Sequence, residues 1–425
     1  DTLVYHLPSP AERIIAGKRQ STGEEIELRT DPNGPLVARV FKTTADPYVG
    51  KLSYFRVLSG TMRSDSRVVN ASDGSEERIG TIFFMRGKEQ LPTEEIGPGD
   101  IGAVAKLSKT TTGETLCSKD DPITVEPIKF PNPVYSVAIF PKTKADLDKM
   151  SSALARLLEE DPTLKVEREP GTGETIMSGM GDTHIDIAIR KLQAKFGLEL
   201  ITDVPKVPYR ETITKTASAQ GRHKKQTGGR GQFGDVFIRF EPLERGAGFE
   251  FADEIFGGAV PKNYIPAVEK GLREIMEHGV LAGYPTVDFR AVLYDGSYHP
   301  VDSSELAFKL AAHLAFKKGI PEAGPVLLEP IMLVKVTVPE EYMGDVISDF
   351  NTRRGRVQGM HQEKGKATVT ALVPLAEMLR YAIDLRGLTQ GRGLFTMEFS
   401  HYDIVPSHIA QKIIEQAVKE KAENE

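Results

Sequence analysis

The sequence predicts a multidomain fold, a β-barrel followed by α+β domains. Three observations carry that expectation. The chain has 425 residues, too many for one compact core, so three or four domains are expected. An early region, from Pro35 to about Pro127, is a series of short β-type runs cut by turns. Further on, the order strand–helix–strand–strand–helix–strand appears twice.

Residues 1–34 are polar with little periodicity, and Asp31-Pro32-Asn33-Gly34 is a turn signal. They read as a linker from something upstream. The opening at Asp1, without an initiator Met, reads as the start of a piece of a longer protein. In 35–127 the β-runs are Leu36–Phe41, Lys51–Leu58, Arg67–Asn70, Ile79–Met85 and Ile101–Leu107. Short strands at this spacing, without a helical period, predict a small barrel.

After a linker at 128–133, Val134–Phe140 reads as a strand. Thr143 and Asp146 have capping-box spacing. Leu147, Met150, Leu154 and Leu157 then line one helix face. Leu164–Val166 and Thr175–Ser178 are short strands. A second helix has Asp182 as its expected cap, carries Ile185, Ile189, Leu192 and Phe196, and stops at Gly197. Leu198–Ile201 closes a β-α-β-β-α-β unit, the ferredoxin-like order, over 134–204. The same order returns over 329–403, from Ile331–Val338 to Leu394–Phe399.

Between these units, residues 206–328 carry strand candidates Asp235–Glu241, Phe249–Ala252 and Thr286–Tyr294. One helix presents Tyr264, Val268, Leu272 and Ile275. Another has Asp302 as its expected cap and Leu306, Leu310 and Leu314 as its expected apolar stripe. A last helix, 407–421, precedes a charged tail.

Composition narrows the function. Hydrophobic content is 40% and charged content 27%, ordinary for a soluble globular protein. Net charge is -6, so contact with nucleic acid must come from local basic patches. One cysteine, Cys117, excludes an internal disulfide and fits a reducing, cytoplasmic setting. No apolar run approaches the ~18 residues of a membrane span. The chain contains no GxxxxGK[ST], CxxC, HExxH or GxSxG sequence, so no nucleotide hydrolysis, metal centre or cofactor is expected of it alone.

The segment 220–236, QGRHKKQTGGRGQFGDV, sets four basic residues among five glycines. Two readings compete: a plain surface connection, and a loop that lets backbone and cations approach phosphate. No strand periodicity is evident in it before Val236. His184 reads as a packed or capping residue, because no second ligand has metal spacing with it. His299, in the turn YDGSYH, reads as exposed. Acid–base use with Asp295 or Asp302 lacks a nucleophile, and a hydrogen-bonding or stacking contact with nucleic acid is the better expectation. Arg353, Arg354 and Arg356 form a second basic cluster.

These motifs together carry a family. RRGRVQGM (353–360), VPLAEMLRYAIDLRGLTQGRG (373–393), SGMGDTHIDIAI (178–189), KQTGGRGQFGDV (225–236), IPAVEKGLREIM (265–276) and YDGSYHPVDSSELAFKLA (294–311) resemble translation elongation factor G. DPYVGKLSYFRVLSG (46–60) and ERIGTIFFM (77–85) resemble the second domain of translational GTPases. The resemblance is collinear over essentially the whole chain. It implies the second to fifth domains of a five-domain protein whose GTP-binding domain is absent here. The implied folds are a translation-protein barrel, two ferredoxin-like domains and, between them, a ribosomal-protein-like α/β sandwich. A C-terminal helix, 404–425, would pack on that sandwich.

The resemblance further implies a monomeric, ribosome-binding factor that promotes tRNA–mRNA translocation. GTP and Mg would be held by the missing domain, rRNA of both subunits would be contacted, and there would be no membrane partner. Lys225, Gln226, Gly228, Gly229, Arg230, Gly231, Gln232 and His299 inherit the tip that meets tRNA and mRNA at the decoding centre. Arg353, Arg354 and Arg356 become candidates for rRNA phosphate contacts. Departures from the family pattern at Asp182-Thr183, Phe233, Asp235 and Pro300 point to a divergent copy, for which recycling or stress is an alternative role. An RNA-binding or ribosome-assembly protein without a GTPase is the competing class.

Overall fold

The computed structural model describes residues 2–46, 50–226 and 231–424. The chain divides into two compact units. The first holds residues 1–167 and 175–203, and the second holds 168–174 and 204–425.

The first unit begins with a strand-rich region. Eight antiparallel strands follow the order Glu76–Arg78, Arg67–Asn70, Thr115–Cys117, Val37–Asp46, Gly50–Ser59, Ile101–Ala105, Ile82–Arg86, Glu89–Thr93. The sheet curls around Val40, Phe55, Val57, Ile82, Val104 and Leu116, each fully buried. The residues expected to be a linker contribute structure. Ile15–Arg19 and Glu25–Leu28 pair with each other, and the first also pairs with Ile123–Val125. Four- and five-residue strands are too short for their alternation to stand out from a polar background.

Glu77 is 3% exposed. Its carboxylate accepts the N–H groups of Ser108, Lys109 and Thr110 and the hydroxyls of Ser108 and Thr110 at 2.7–2.9 Å. Burial alone would raise its pKa. The hydrogen bonds outweigh that and hold it down at about 2.

The rest of this unit has the expected β-α-β-β-α-β order. Its sheet runs Lys165–Arg168, Thr175–Gly179, Tyr135–Pro141, Leu200–Asp203. Thr143 and Asp146 form the capping box of helix Lys144–Glu160. Met150, Leu154 and Leu157 are buried with Ala153, whereas Leu147 is exposed. Helix Asp182–Phe196 ends at Gly197 in the left-handed region (φ 61°). Its N-cap is Gly181, and Asp182, expected to be the cap, is instead the first helical residue. His184 is packed. Nδ1 accepts the Met180 N–H at 3.0 Å, which leaves the proton on Nε2, 2.8 Å from Asp161.

The second unit contains a four-stranded sheet in the order Ala217–Lys225, Gln232–Pro242, Phe289–Ser297, Phe249–Asp253. The last pair is parallel. Helices Ile265–Ile275 and Glu305–Glu322 pack on it around Phe240, Phe289, Phe308 and Phe316. The buried stripe of the longer helix is Ala307, Phe308, Ala311, Ala312, Ala315 and Phe316. Leu306 and Leu314, expected inside, are exposed. Its N-cap is Ser304, whose hydroxyl accepts the Ala307 N–H, and Asp302 is used elsewhere.

The remaining sheet repeats the β-α-β-β-α-β order and includes Pro325–Pro339, Lys366–Pro374, Arg356–Glu363 and Leu394–Ile404. Pro325–Pro339 crosses the boundary expected at 328/329, and Arg210–Ile213 pairs with its first residues. Helix Ser407–Asn424 follows, and Glu420 near its end bridges to Lys206 at 2.9 Å. No helix among the described residues is long and apolar enough to cross a membrane.

Candidate nucleic-acid interface

The segment 220–236 is largely a hairpin, which corrects its reading as patternless before Val236. Ala217–Lys225 pairs with Gln232–Pro242 in continuous register from Ala217↔Phe240 to Lys225↔Gln232. The inward positions of the first strand are Ala217, Ala219, Gly221 and His223, mostly too small to register as an apolar stripe. Small residues are what the packing requires. A Cβ on Gly221 would lie 1.9 Å from the Ala311 carbonyl oxygen, and one on Gly234 would lie 2.5 Å from that of Ala307. The helix therefore lies directly on the hairpin backbone. Asp235, 6% exposed, ties the sheet together by accepting from Gln220 and Ser297, each at 2.8 Å.

The end of this hairpin is braced by the turn at 298–304. The Asp302 carboxylate accepts the Gly231 N–H at 3.0 Å, and its carbonyl accepts the Phe233 N–H at 2.9 Å. The Ser303 hydroxyl donates to the Phe233 carbonyl at 3.0 Å and accepts the His299 N–H at 2.8 Å. His299 Nδ1 accepts the N–H groups of Val301 and Asp302 at 3.3 and 3.1 Å. The imidazole proton therefore sits on Nε2, on a side chain that is 51% exposed.

Of the expected tip residues, Lys225 and Gln226 are exposed. Gln232 is half-buried, 2.9 Å from His223 Nε2 through its side-chain oxygen. Gly231 and His299 are brought together through Asp302. Gly228, Gly229 and Arg230 lie outside the described residues. Arg222 and Lys224, also exposed, add cations next to Lys225, and Arg222 sits 5.5 Å over the Phe233 ring. The bracing pair Asp302 and Ser303 was not legible as such. Asp302 had cap spacing, and nothing in the sequence said that its carboxylate is taken by a residue 71 positions away.

The three arginines expected to meet rRNA phosphate have different surroundings. Arg353, 16% exposed, donates to Asp349 and Asp384 at 2.8 Å and to the Glu377 carbonyl at 2.7 Å. Arg354 grips Glu329 through both terminal nitrogens at 2.6 and 2.9 Å and reaches Glu377 at 3.0 Å. Those bonds raise its pKa further, Glu329 most. Three N–H groups of each of these two arginines are thus engaged within the fold. Arg356 is 78% exposed, with its nearest carboxylate, Asp403, at 3.9 Å.

Comparison with known proteins gives four consecutive matches. Residues 35–119 match "Elongation factor G domain 2" and 130–204 match "Elongation Factor G, domain III". Residues 205–324 match "Elongation factor G, domain IV" and 326–413 match "Elongation factor G C-terminus". A crystal structure from Thermus thermophilus is similar at 42% identity with a TM-score of 0.79. The match covers 98% of this chain and 60% of that one, so this chain spans about three fifths of its relative's length. With consecutive matches from 35 to 413, the chain belongs to the elongation factor G family and comprises its second, third, fourth and C-terminal domains.

Proposed function

We propose that this chain is the ribosome-binding part of an elongation-factor-G-type translational GTPase, acting in cytoplasmic tRNA–mRNA translocation as a monomer. The observation that carries this reading is the braced hairpin end. Exposed Arg222, Lys224 and Lys225 neighbour a fixed His299 donor and the Gln226 amide. Lysine and arginine there neutralise backbone phosphate. The His299 Nε2–H and the Gln226 amide hydrogen-bond to sugar, phosphate or base edges of tRNA and mRNA. The bonds from Asp302 and Ser303 fix His299 and the strand end at Gly231 and Phe233 before contact, so less ordering entropy is lost there on binding. Holding the moved tRNA–mRNA better than the unmoved one makes the step directional.

In this reading the curled sheet is a translation-protein barrel. The two β-α-β-β-α-β domains are ferredoxin-like, and the braced domain is a ribosomal-protein-like sandwich. Arg356 is the arginine of its cluster suited to rRNA phosphate. The residues present do not fit GTP with Mg²⁺. The sequence has no GxxxxGK[ST], and no group of three or more His, Cys, Asp or Glu is placed to hold a metal among the described residues. Hydrolysis is assigned to a nucleotide-binding domain outside these residues.

The test is co-sedimentation with ribosomes over a salt series, beside a version with 225–234 trimmed. Salt-sensitive binding that needs the hairpin end is expected. Binding indifferent to both salt and trimming would refute the reading.

A further inference from the structure

The first compact unit contains a cavity of about 330 Å³ beside strands Val37–Asp46, Gly50–Ser59 and Ile101–Ala105. Three arginines line it, Arg13, Arg39 and Arg56, with Phe41, Ile101 and Ile128 among the apolar walls. Arg39 and Arg56 are direct partners across the antiparallel ladder, and Ile101 is the partner of Arg56 on its other side. Like charges directly opposite one another destabilise a sheet. No ion pair links any of the three arginines to a carboxylate among the described residues. One terminal nitrogen of Arg39 donates to the Glu126 carbonyl at 2.7 Å, and its Nε is buried with no partner. A buried guanidinium N–H left unpaired costs free energy. A ligand that brings negative charge into the cavity offsets the repulsion between Arg39 and Arg56.

The chemistry of the lining narrows that ligand. Three guanidiniums suit a phosphate dianion, whose oxygens match their forked donors, better than a single carboxylate. Phe41 is 36% exposed and Ile101 50% exposed, giving a planar group apolar surface to lie on. The volume is at the lower end of small-ligand sites, about 300 Å³ upward. We infer that this cavity binds a nucleoside phosphate, with the phosphate among Arg13, Arg39 and Arg56 and the base against Phe41 and Ile101. Among the described residues, the lining contains no acidic residue that would repel a phosphate. A free mononucleotide and the end of an RNA strand present the same chemistry.

The test uses the 425-residue chain titrated calorimetrically with inorganic phosphate, adenosine 5′-monophosphate and a 5′-phosphorylated tetranucleotide RNA, with melting temperature followed in parallel. At least one nucleotide probe should bind about tenfold or more tighter than inorganic phosphate, through the buried base. Saturation by the mononucleotide identifies a free nucleotide, and binding by the oligonucleotide alone identifies an RNA end. Arg56→Gln should weaken nucleotide binding about tenfold. It should also raise the ligand-free melting temperature, because it removes the Arg39–Arg56 repulsion. Ile101→Glu places a carboxylate opposite Arg56 and should likewise raise that temperature while abolishing binding. Three results each overturn the inference: no binding of either nucleotide, phosphate binding as tightly as both, or nucleotide affinity unchanged in both variants. An Arg56→Gln chain that melts lower and keeps its affinity also overturns it, by making Arg56 a structural residue.

Discussion

Asp302→Ala tests whether the hairpin end is braced in advance. The substitution removes one charge-assisted hydrogen bond, to the Gly231 N–H at 3.0 Å. The carbonyl bond to Phe233 remains, because it is made by the backbone. Hydrogen bonds to charged groups contribute about 1.5–3 kcal/mol, and with Asp302 26% exposed the lower end applies, about 1.5 kcal/mol. Local opening at Gly231 should become about tenfold more frequent. Amide hydrogen exchange reads this directly. Gly231 should exchange about tenfold faster, while Ala219 and Ile238, in the body of the hairpin, stay unchanged. RNA affinity should fall by a similar factor or less, because the looser end must be ordered on binding. The slope of log affinity against log salt should not fall, since no phosphate contact is lost. Lys225→Ala should reduce that slope by about one. Unchanged exchange at Gly231, with tighter RNA binding at every salt concentration, would refute bracing and leave Asp302 as a repulsive charge only.

Three further outcomes are expected. Arg354→Ala leaves Glu329, 2% exposed, without its two-point partner and should cost about 3 kcal/mol in urea unfolding; Arg356→Ala should stay within about 0.5 kcal/mol, and equal losses would contradict the division of the cluster. Tyr381 is fully buried with an unpartnered hydroxyl, so Tyr381→Phe should gain about 1 kcal/mol, and a loss would show that the hydroxyl has a role. Glu77 has a folded pKa of about 2 against an ordinary 4.5. A depressed carboxylate contributes stability that is fully present above 4.5 and is lost as pH falls towards 2. The contribution is about 3 kcal/mol, and Glu77→Gln should flatten that acid limb of the stability curve.

The repeated β-α-β-β-α-β order was legible because its helices carry strong apolar periodicity and ordinary caps, such as Thr143 with Asp146 and the stop at Gly197. Helix 305–322 was legible as a helix but not in its facing. Leu306, Leu310 and Leu314 form one stripe at helical spacing, and Ala307, Ala311 and Ala315 form another. Hydrophobicity favours leucine. Yet the hairpin it meets presents Gly221 and Gly234, and only a small-residue face can approach that closely. The facing is a property of the pair, not of the helix sequence alone. The same holds for Asp302, which had helix-cap spacing and is held by Gly231 instead.

Basic composition marked two places in this chain, and the structure separates them by what the cations already touch. Arg353 and Arg354 are fixed by Asp349, Asp384, Glu329 and Glu377. Their charge is spent inside the fold, where removing one partner exposes the cost of the other. At the hairpin end the arrangement is inverted. The carboxylate of Asp302 is spent on a backbone N–H, and Arg222, Lys224 and Lys225 have no ion-pair partner among the described residues. Acid there orders the scaffold without neutralising the cations. A surface built this way keeps its full positive charge for a polyanion while holding its geometry. Reversing the assignment would show it. A carboxylate placed to pair Lys225, as in Gln232→Glu across the strand register, should leave folding intact and cut the salt-dependent part of RNA binding as strongly as Lys225→Ala does. A full salt slope retained in that variant would mean that the hairpin cations do not carry the contact.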